Sequence, residues 1–392
     1  MLPFMKRSFV TVVVTVLGCA GFFTLKAGLY PTNLISFKPF NGIAYSPFRG
    51  SENPYYSSYP TVAEITQDIT NSLIYLASEV ATYGMAGGQS NIAAVCYNYN
   101  LPCYPCAFLS PTDIVDNSNE IAALVAVGNQ HFPTTRGLLV GSEPVFDNYN
   151  PDALINDINH VRAATGNIIP VGTRDIFYTF TNFPAIAAAC DFIQVDIHPY
   201  WAELPESEGA AFVIDEWRQL TNEFPGVKVI IGETGWPTGG SNPYWSSPYV
   251  VTSVATQGQY LKDFVSAAKS NNIEYFVFSF RDEAWKSQEG WGDVECHWGL
   301  YDTNGVKKQS LVDYLANGFS IRMSKASSTN AHIIVPTFEG NPYSIVATPD
   351  IRVGPWTPYP FTGAAGTNQT VITVPIFTNA PLSWFYFGWQ NF

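Results

Sequence analysis

Charge is what this chain has least of. Only 13% of its 392 residues are Asp, Glu, Lys or Arg, against roughly a quarter in an average soluble domain. Nineteen Lys and Arg stand against 32 Asp and Glu, for a net charge of −13, and no basic run follows Lys6-Arg7. A phosphate backbone requires a basic stripe, so nucleic acid is excluded as a partner. The five histidines form no set with Cys or carboxylates at ligand spacing, so no metal is expected. No GxGxxG follows the first strand-like run, which argues against a dinucleotide fold; no cofactor is expected either.

Aromatic residues are abundant instead: 15% of the chain, with 10 Trp and 22 Tyr. A surface poor in charge and rich in such rings suits neutral ligands with flat apolar faces, as sugars have. A well-packed aromatic core explains the composition equally well. The length admits one barrel-sized domain with an appendage or two ordinary domains.

The first 27 residues have the texture of a targeting segment. Lys6 and Arg7 precede the apolar stretch from Ser8 to Leu25, and small residues at Ala27-Gly28 suit cleavage. The run is also long enough for an uncleaved signal anchor, and Val16-Leu17-Gly18-Cys19 loosely matches a lipoprotein site. Each of these readings places the rest of the chain outside the cytosol. Without Cys19 five cysteines remain, Cys96, Cys103, Cys106, Cys190 and Cys296, an odd number that leaves at least one thiol over. A local disulfide from Cys96 to Cys103 or Cys106 is expected.

Between about residues 38 and 318, strand-like runs alternate with helical patterns. Strand candidates are Gly42 to Ser46, Val80 to Tyr83, Gly137 to Val140, Ile168 to Val171, Phe192 to Ile197, Val227 to Ile231 and Tyr275 to Phe280. Helical spacing links Val62, Ile65, Ile69, Leu73 and Leu76, then Val213, Trp217, Leu220 and Phe224, then Leu261, Phe264, Val265 and Ala268. A third strand should fall within Leu101 to Ser110, although Pro102 and Pro105 interrupt it. Eight units of about 30 residues predict an α/β chain folded as a (β/α)8 TIM barrel. From residue 319 to 392 short β-type runs at Ile333 to Val335, Ser344 to Ala347 and Val371 to Ile376 predict a small β-rich extension, with one sequon at Asn368-Gln369-Thr370.

Barrel chemistry sits where strands end. Leu138-Leu139-Val140-Gly141-Ser142 runs into Glu143, and Val229-Ile230-Ile231-Gly232 runs into Glu233. Ninety residues, or three repeats, separate the two carboxylates and place them on one rim. A protonated carboxyl and an ionised one across a sugar-sized cleft are the minimum equipment for glycosidic cleavage, with a gap of about 5–5.5 Å for retention. A pair of exposed glutamates without catalytic role fits the spacing too.

The surrounding residues resemble a family. Gly232-Glu233-Thr234-Gly235-Trp236-Pro237-Thr238 is similar to the signature of glycoside hydrolase family 17, the β-1,3-glucanases. Val140-Gly141-Ser142-Glu143, Gly42-Ile43-Ala44-Tyr45-Ser46-Pro47-Phe48 and Asp282-Glu283-Ala284-Trp285-Lys286 resemble further family segments in the same order. The resemblance implies a retaining enzyme on β-1,3-glucan, acting by hydrolysis or transfer. Glu143 would be its acid/base and Glu233 its nucleophile. Tyr45, Ser142, His198, Tyr200, Trp236, Asp282, Trp285 and Lys286 would hold the sugar, with Trp201 and Trp291 as further platforms. It implies a secreted monomer whose partner is β-glucan polysaccharide, with a cell wall or membrane surface as a place of association.

Four positions depart from the family pattern. Ser142 stands for Asn, Asp196 for Asn, Ser279 for Glu, and Ala81 for the Arg of R-T-Y-G. Loss of that arginine should raise the pKa of Glu233. A glucan-binding wall protein that keeps the barrel without turnover is therefore the alternative.

Overall fold

In the computed structural model the described residues are 38–318, together with strand segments at Val13–Leu17, Arg322–Lys325, Asn330–Pro336, Pro342–Thr348, Thr357–Thr362, Gln369–Pro375 and Leu382–Trp389. Two compact units emerge, Lys38–Tyr314 and the combination of Met1–Phe37 with Leu315–Phe392.

Lys38–Tyr314 forms a (β/α)8 barrel. Its strands are β1 (Phe40–Ala44), β2 (Ala77–Ala81), β3 in two pieces (Cys103–Tyr104 and Cys106–Ala107), β4 (Leu138–Ser142), β5 (Val171–Ile176), β6 (Phe192–Asp196), β7 (Lys228–Thr234) and β8 (Tyr275–Val277). Every neighbouring pair is parallel, and β8 returns to β1 through Phe276 opposite Gly42. The two pieces of β3 close the ring: Cys103 lies opposite Val80, while Cys106 lies opposite Leu139. Here the prolines do their part through their carbonyls. Val80 N donates to Pro102 O at 3.0 Å and Leu139 N to Pro105 O at 2.9 Å. Proline lacks the donor but keeps the acceptor, so the strand breaks without opening the barrel.

The disulfide expectation is corrected: Cys96 and Cys103 lie side by side as thiols and are not bonded. All five described cysteines are free thiols. Cys103 and Cys106 belong to different pieces of β3, and the Cys106 thiol turns to Ala107 O at 3.4 Å. Burial pushes the Cys106 thiol up to about 12, so it stays protonated.

The helices pack their apolar stripes outside the ring. α1 (Val62–Asp68) starts in a capping box, with Thr61 N donating to Glu64 Oε2 at 2.8 Å and Glu64 N to Thr61 Oγ1 at 3.3 Å. It continues through a wider turn, Ile69–Leu73, which explains why Ile65, Ile69 and Leu73 all face the core at spacings of four. α2 (Glu206–Glu223) is tied to β7 by Trp217 Nε1 donating to Val229 O at 3.0 Å. α3 (Val254–Ser270) buries Leu261, Phe264, Val265 and Ala268 together.

In the other unit, Val13–Leu17 pairs antiparallel with Leu382–Trp389, with Val13 opposite Tyr386. Leu382–Trp389 also pairs with Pro342–Thr348, which pairs with Thr357–Thr362. A second sheet joins Arg322–Lys325, Asn330–Pro336 and Gln369–Pro375. Every described segment after residue 319 is a strand. Ala27-Gly28 and Asn368 lie outside the described residues. Among the described residues no helix is long and apolar enough to cross a membrane.

Candidate active site

The carboxyl ends of β4 to β7 converge on one buried cation that the sequence reading missed. β5 was expected at Ile168 to Val171, but it runs from Val171 to Ile176. That shift carries Arg174 and Asp175 into the barrel, where both are fully buried. Arg174 donates from Nε and Nη2 to Ser142 Oγ at 3.2 and 2.9 Å, and from Nη2 to Thr82 O at 3.0 Å. Its guanidinium lies 4.3 Å over the Tyr83 ring. Nε stands 3.7 Å from both Glu233 Oε1 and Asp196 Oδ2. Arg174 thus supplies, from β5, the charge that the Ala81 departure removes from β2. A charged Arg-Asp pair inside an apolar run was the available signal.

Glu233 ends β7 almost fully buried, and Gly232 before it is required by close approach. A Cβ there would stand 2.5 Å from Asp196 Oδ1 and 2.8 Å from Arg174 Cδ. Burial acts to raise the Glu233 pKa, but Arg174, His198 and Lys286 together outweigh it and hold the carboxyl below the usual carboxylate range. His198 Nε2 is 3.4 Å from Glu233 Oε2, and its ring is set edge-on to Phe278 and Trp298. The expectation that losing the β2 arginine raises this pKa is therefore overturned.

Glu143 has the opposite surroundings. A bulge interrupts the β4–β5 register between Leu139 and Ser142, with Gly141 at φ 90° and Glu143 itself at φ 52°. A side chain other than Gly in the left-handed region marks a held, strained position. Glu143 N donates to Arg174 O at 2.8 Å, which closes the bulge onto β5. Burial, then the neighbouring charges of Glu233, Asp175 and Asp147, raise its pKa well above the ordinary value despite Arg174. Two carboxyls whose environments push them apart are the arrangement that separates an acid from an ionised partner.

Asp196 completes the set. Its side chain is fully buried, its oxygens have no hydrogen-bond partner, and burial followed by Glu233 raises its pKa strongly. Burial thus disfavours its charged form, at a position where the resemblance has Asn.

The remaining sugar-binding expectations divide. Lys286 approaches Glu283 Oε2 at 3.8 Å and lies 4.7 Å over the Phe278 ring. Trp285 Nε1 donates to Glu283 Oε1 at 3.0 Å, while its ring meets Tyr55 and Phe48 at 5.8 Å each. Both belong to this rim, and Glu283, which also accepts from Ser46 Oγ, joins them. Ser279, in place of a carboxylate, donates instead to Arg281 O at 3.0 Å. Tyr45 and Trp236 are corrected to core residues. Each is 0% exposed, Tyr45 donating to Asp68 Oδ2 at 3.1 Å and Trp236 to Val251 O at 2.9 Å. Asp282 is also structural, gripped by Lys308 Nζ at 2.6 Å and Gly299 N at 2.9 Å. Tyr200 is buried beneath Trp201 and Trp245, whereas Trp291 is 40% exposed and meets Phe146, Trp201 and Tyr244 at 5.3–6.0 Å. Among the described residues no cluster of three or more His, Cys, Asp or Glu could hold a metal.

A closed parallel barrel with an opposed carboxylate pair at its carboxyl-terminal rim defines a class of glycosidase-like proteins. Residues 42–299 match the BtgE/BtgC glycoside hydrolase domain, and the chain belongs to that family. An Aspergillus niger protein, btgC, named provisionally as a glucan endo-1,3-beta-glucosidase, is 26% identical over 299 residues, covering 68% of this chain. A glucan 1,3-beta-glucosidase of Saccharomyces cerevisiae is 30% identical over 226 residues, covering 51% of this chain and 70% of its own length. The chain spans 42% of the length of the A. niger relative. Among solved structures, the family 17 beta-1,3-glucanosyltransferase of Rhizomucor miehei superposes with a TM-score of 0.60 at 27% identity, covering 69% of this chain and 96% of its own. An active-site mutant of that protein was solved with laminaritriose.

Proposed function

We propose that this chain is a retaining glycoside hydrolase or transglycosylase of β-1,3-glucan, with Glu233 as nucleophile and Glu143 as acid/base. The observation that carries the reading is the opposed pair: Glu233 held ionised by Arg174, His198 and Lys286, Glu143 held protonated by burial and acidic neighbours. In the first step the Glu143 carboxyl gives its proton to the glycosidic oxygen as the C1–O bond breaks. A Glu233 oxygen attacks C1 from the opposite side, forming a glycosyl ester. In the second step Glu143, now a carboxylate, takes the proton of water or of a sugar hydroxyl, and that oxygen displaces Glu233. Two inversions leave the β-configuration. Lys286, His198, Trp285 and Ser142 border these carboxyls and would orient the ring, while Trp291 offers an open aromatic face. The linkage itself is supported by kinship with the glucan-modifying relatives.

Export belongs to the same reading, with wall glucan as the partner and a leader cleaved near Gly28. Mass determination of the mature N-terminus tests that part, since such cleavage would remove the Val13–Leu17 strand. For the activity, the decisive measurement is NMR of the first product from a panel of β-linked glucans. β-1,3-Glucan should be cleaved ahead of cellulose and xylan, with the β-anomer appearing first. An initial α-anomer overturns the mechanism; retention on another glycan overturns only the substrate.

A further inference from the structure

We infer that Asp175 is a positioning residue that acts through Glu143, holding the acid/base loop in its strained conformation while its own charge keeps that acid protonated. The inference rests on the reading of Glu143 as acid/base.

Asp175 is fully buried at the end of β5, and among the described residues no cation forms an ion pair with it; its carboxylate is taken up by donors. Oδ2 accepts Val145 N at 2.9 Å, two residues after Glu143. Oδ1 accepts Ile176 N at 2.8 Å and the Thr179 hydroxyl at 2.7 Å. One oxygen therefore grips the loop after β4 and the other grips the turn after β5. With Glu143 N bound to Arg174 O, the segment Glu143–Val145 is clamped to β5 at both ends. Such a clamp is what a residue at φ 52° needs, because a left-handed backbone away from glycine persists only where its surroundings over-determine it. Beyond the clamp, Val145 to Tyr149 closes on itself, with Asp147 N donating to Glu143 O at 3.0 Å and Tyr149 N to Pro144 O at 2.7 Å. Phe146 N adds a second backbone hydrogen bond from this loop to the Asp175 carboxylate.

A carboxylate is the only side chain of this size that accepts on both oxygens. Asparagine can satisfy one side, but its amide nitrogen then opposes an N–H or hydroxyl donor on the other. The charge matters as well. The groups around Glu143 are Glu233 from β7, Asp196 from β6, Asp175 and Arg174 from β5, and Asp147 from its own loop. Removing the Asp175 charge leaves Arg174 less opposed, so Glu143 loses its proton at lower pH. Burial pushes Asp175 itself up to about 6 against its hydrogen bonds, so it is ionised on the alkaline side where Glu143 must keep its proton.

The test compares Asp175→Ala and Asp175→Asn on two substrates: a laminari-oligosaccharide, whose leaving group needs a proton, and a dinitrophenyl laminarioside, which does not. A misplaced acid should lower kcat on the oligosaccharide by about tenfold to a hundredfold with KM little changed. On the aryl substrate kcat/KM, which reports glycosylation alone, should fall less than about threefold, because that leaving group departs without general acid. The alkaline limb of the Asp175→Asn pH profile should move to lower pH. Equal losses of kcat/KM on both substrates, or an alkaline limb that stays in place, overturn the inference even if the variants melt early. Glu143→Ala separates the two levels. If it also fails to spare the aryl substrate, the acid/base reading falls; if it spares it and the Asp175 variants do not, only the Asp175 inference falls.

Discussion

The Glu233 end and the Glu143 end of the site use one side-chain type in opposite ways. Glu233 is set into the barrel between Arg174, His198 and Lys286, which overcome its burial. Glu143 stands on a bulged loop in the company of Glu233, Asp175 and Asp147, whose effect together with burial exceeds that of Arg174. The distinction follows from strand neighbours, not from the glutamates. β7 lies beside the strand that ends in Asp196 and His198, whereas β4 lies beside β5 and receives its backbone carbonyl and its acid. Arg174 serves both, since it stands between them and binds Ser142 as well.

That contrast can be broken from either side. The largest effect should come from Glu233→Ala, which should reduce turnover by about 10⁴-fold or more. Azide should partly restore it and give an α-glycosyl azide from a β-glycoside, because the anion attacks from the vacated face. A variant that turns over normally would remove Glu233 from the chemistry. Next in size is Glu143→Ala, expected to cost about 10²- to 10⁴-fold in kcat/KM on glucan but far less in kcat/KM on aryl glycosides. Equal losses on both would show that the two carboxyls do not divide acid from nucleophile.

Arg174→Met sharpens the contrast by removing the shared cation. Glu233 must be ionised to attack, and its pKa is depressed by Arg174, so activity now persists to low pH. Without the guanidinium that pKa rises, and the acidic limb should move up by about one to three pH units. An unmoved limb would mean that His198 and Lys286 suffice. The smallest effect is expected from Asp196→Asn. Burial and Glu233 disfavour the charge of Asp196, so the acidic limb should stay where it is. If Asp196 were ionised, losing its charge would lower the Glu233 pKa and carry the limb to lower pH.

Much of the architecture was legible in the order of residues. The eight runs and the rim glutamates could be read because strand-end placement follows from repeat spacing alone. The helical stripes at Leu261, Phe264, Val265 and Ala268 are buried as their period implies. β5 was misplaced because Thr173-Arg174-Asp175 looks like the end of a strand when read for hydrophobicity; its burial depends on Glu233, Ser142 and Val145 meeting it from other strands. In the sequence Tyr45 and Trp236 read as cleft residues, because a ring beside a motif gives no sign of which way it points.

The sequence by itself determined the repeat, the two carboxylates and their common rim, because these depend on period and on residue type. Tertiary structure alone decided which carboxylate is ionised, through groups that lie far apart in the chain. Arg174 stands 59 positions before Glu233 and Asp175 stands 32 after Glu143. Only closure of the barrel brings such charges within the few ångströms at which a buried carboxyl responds to them.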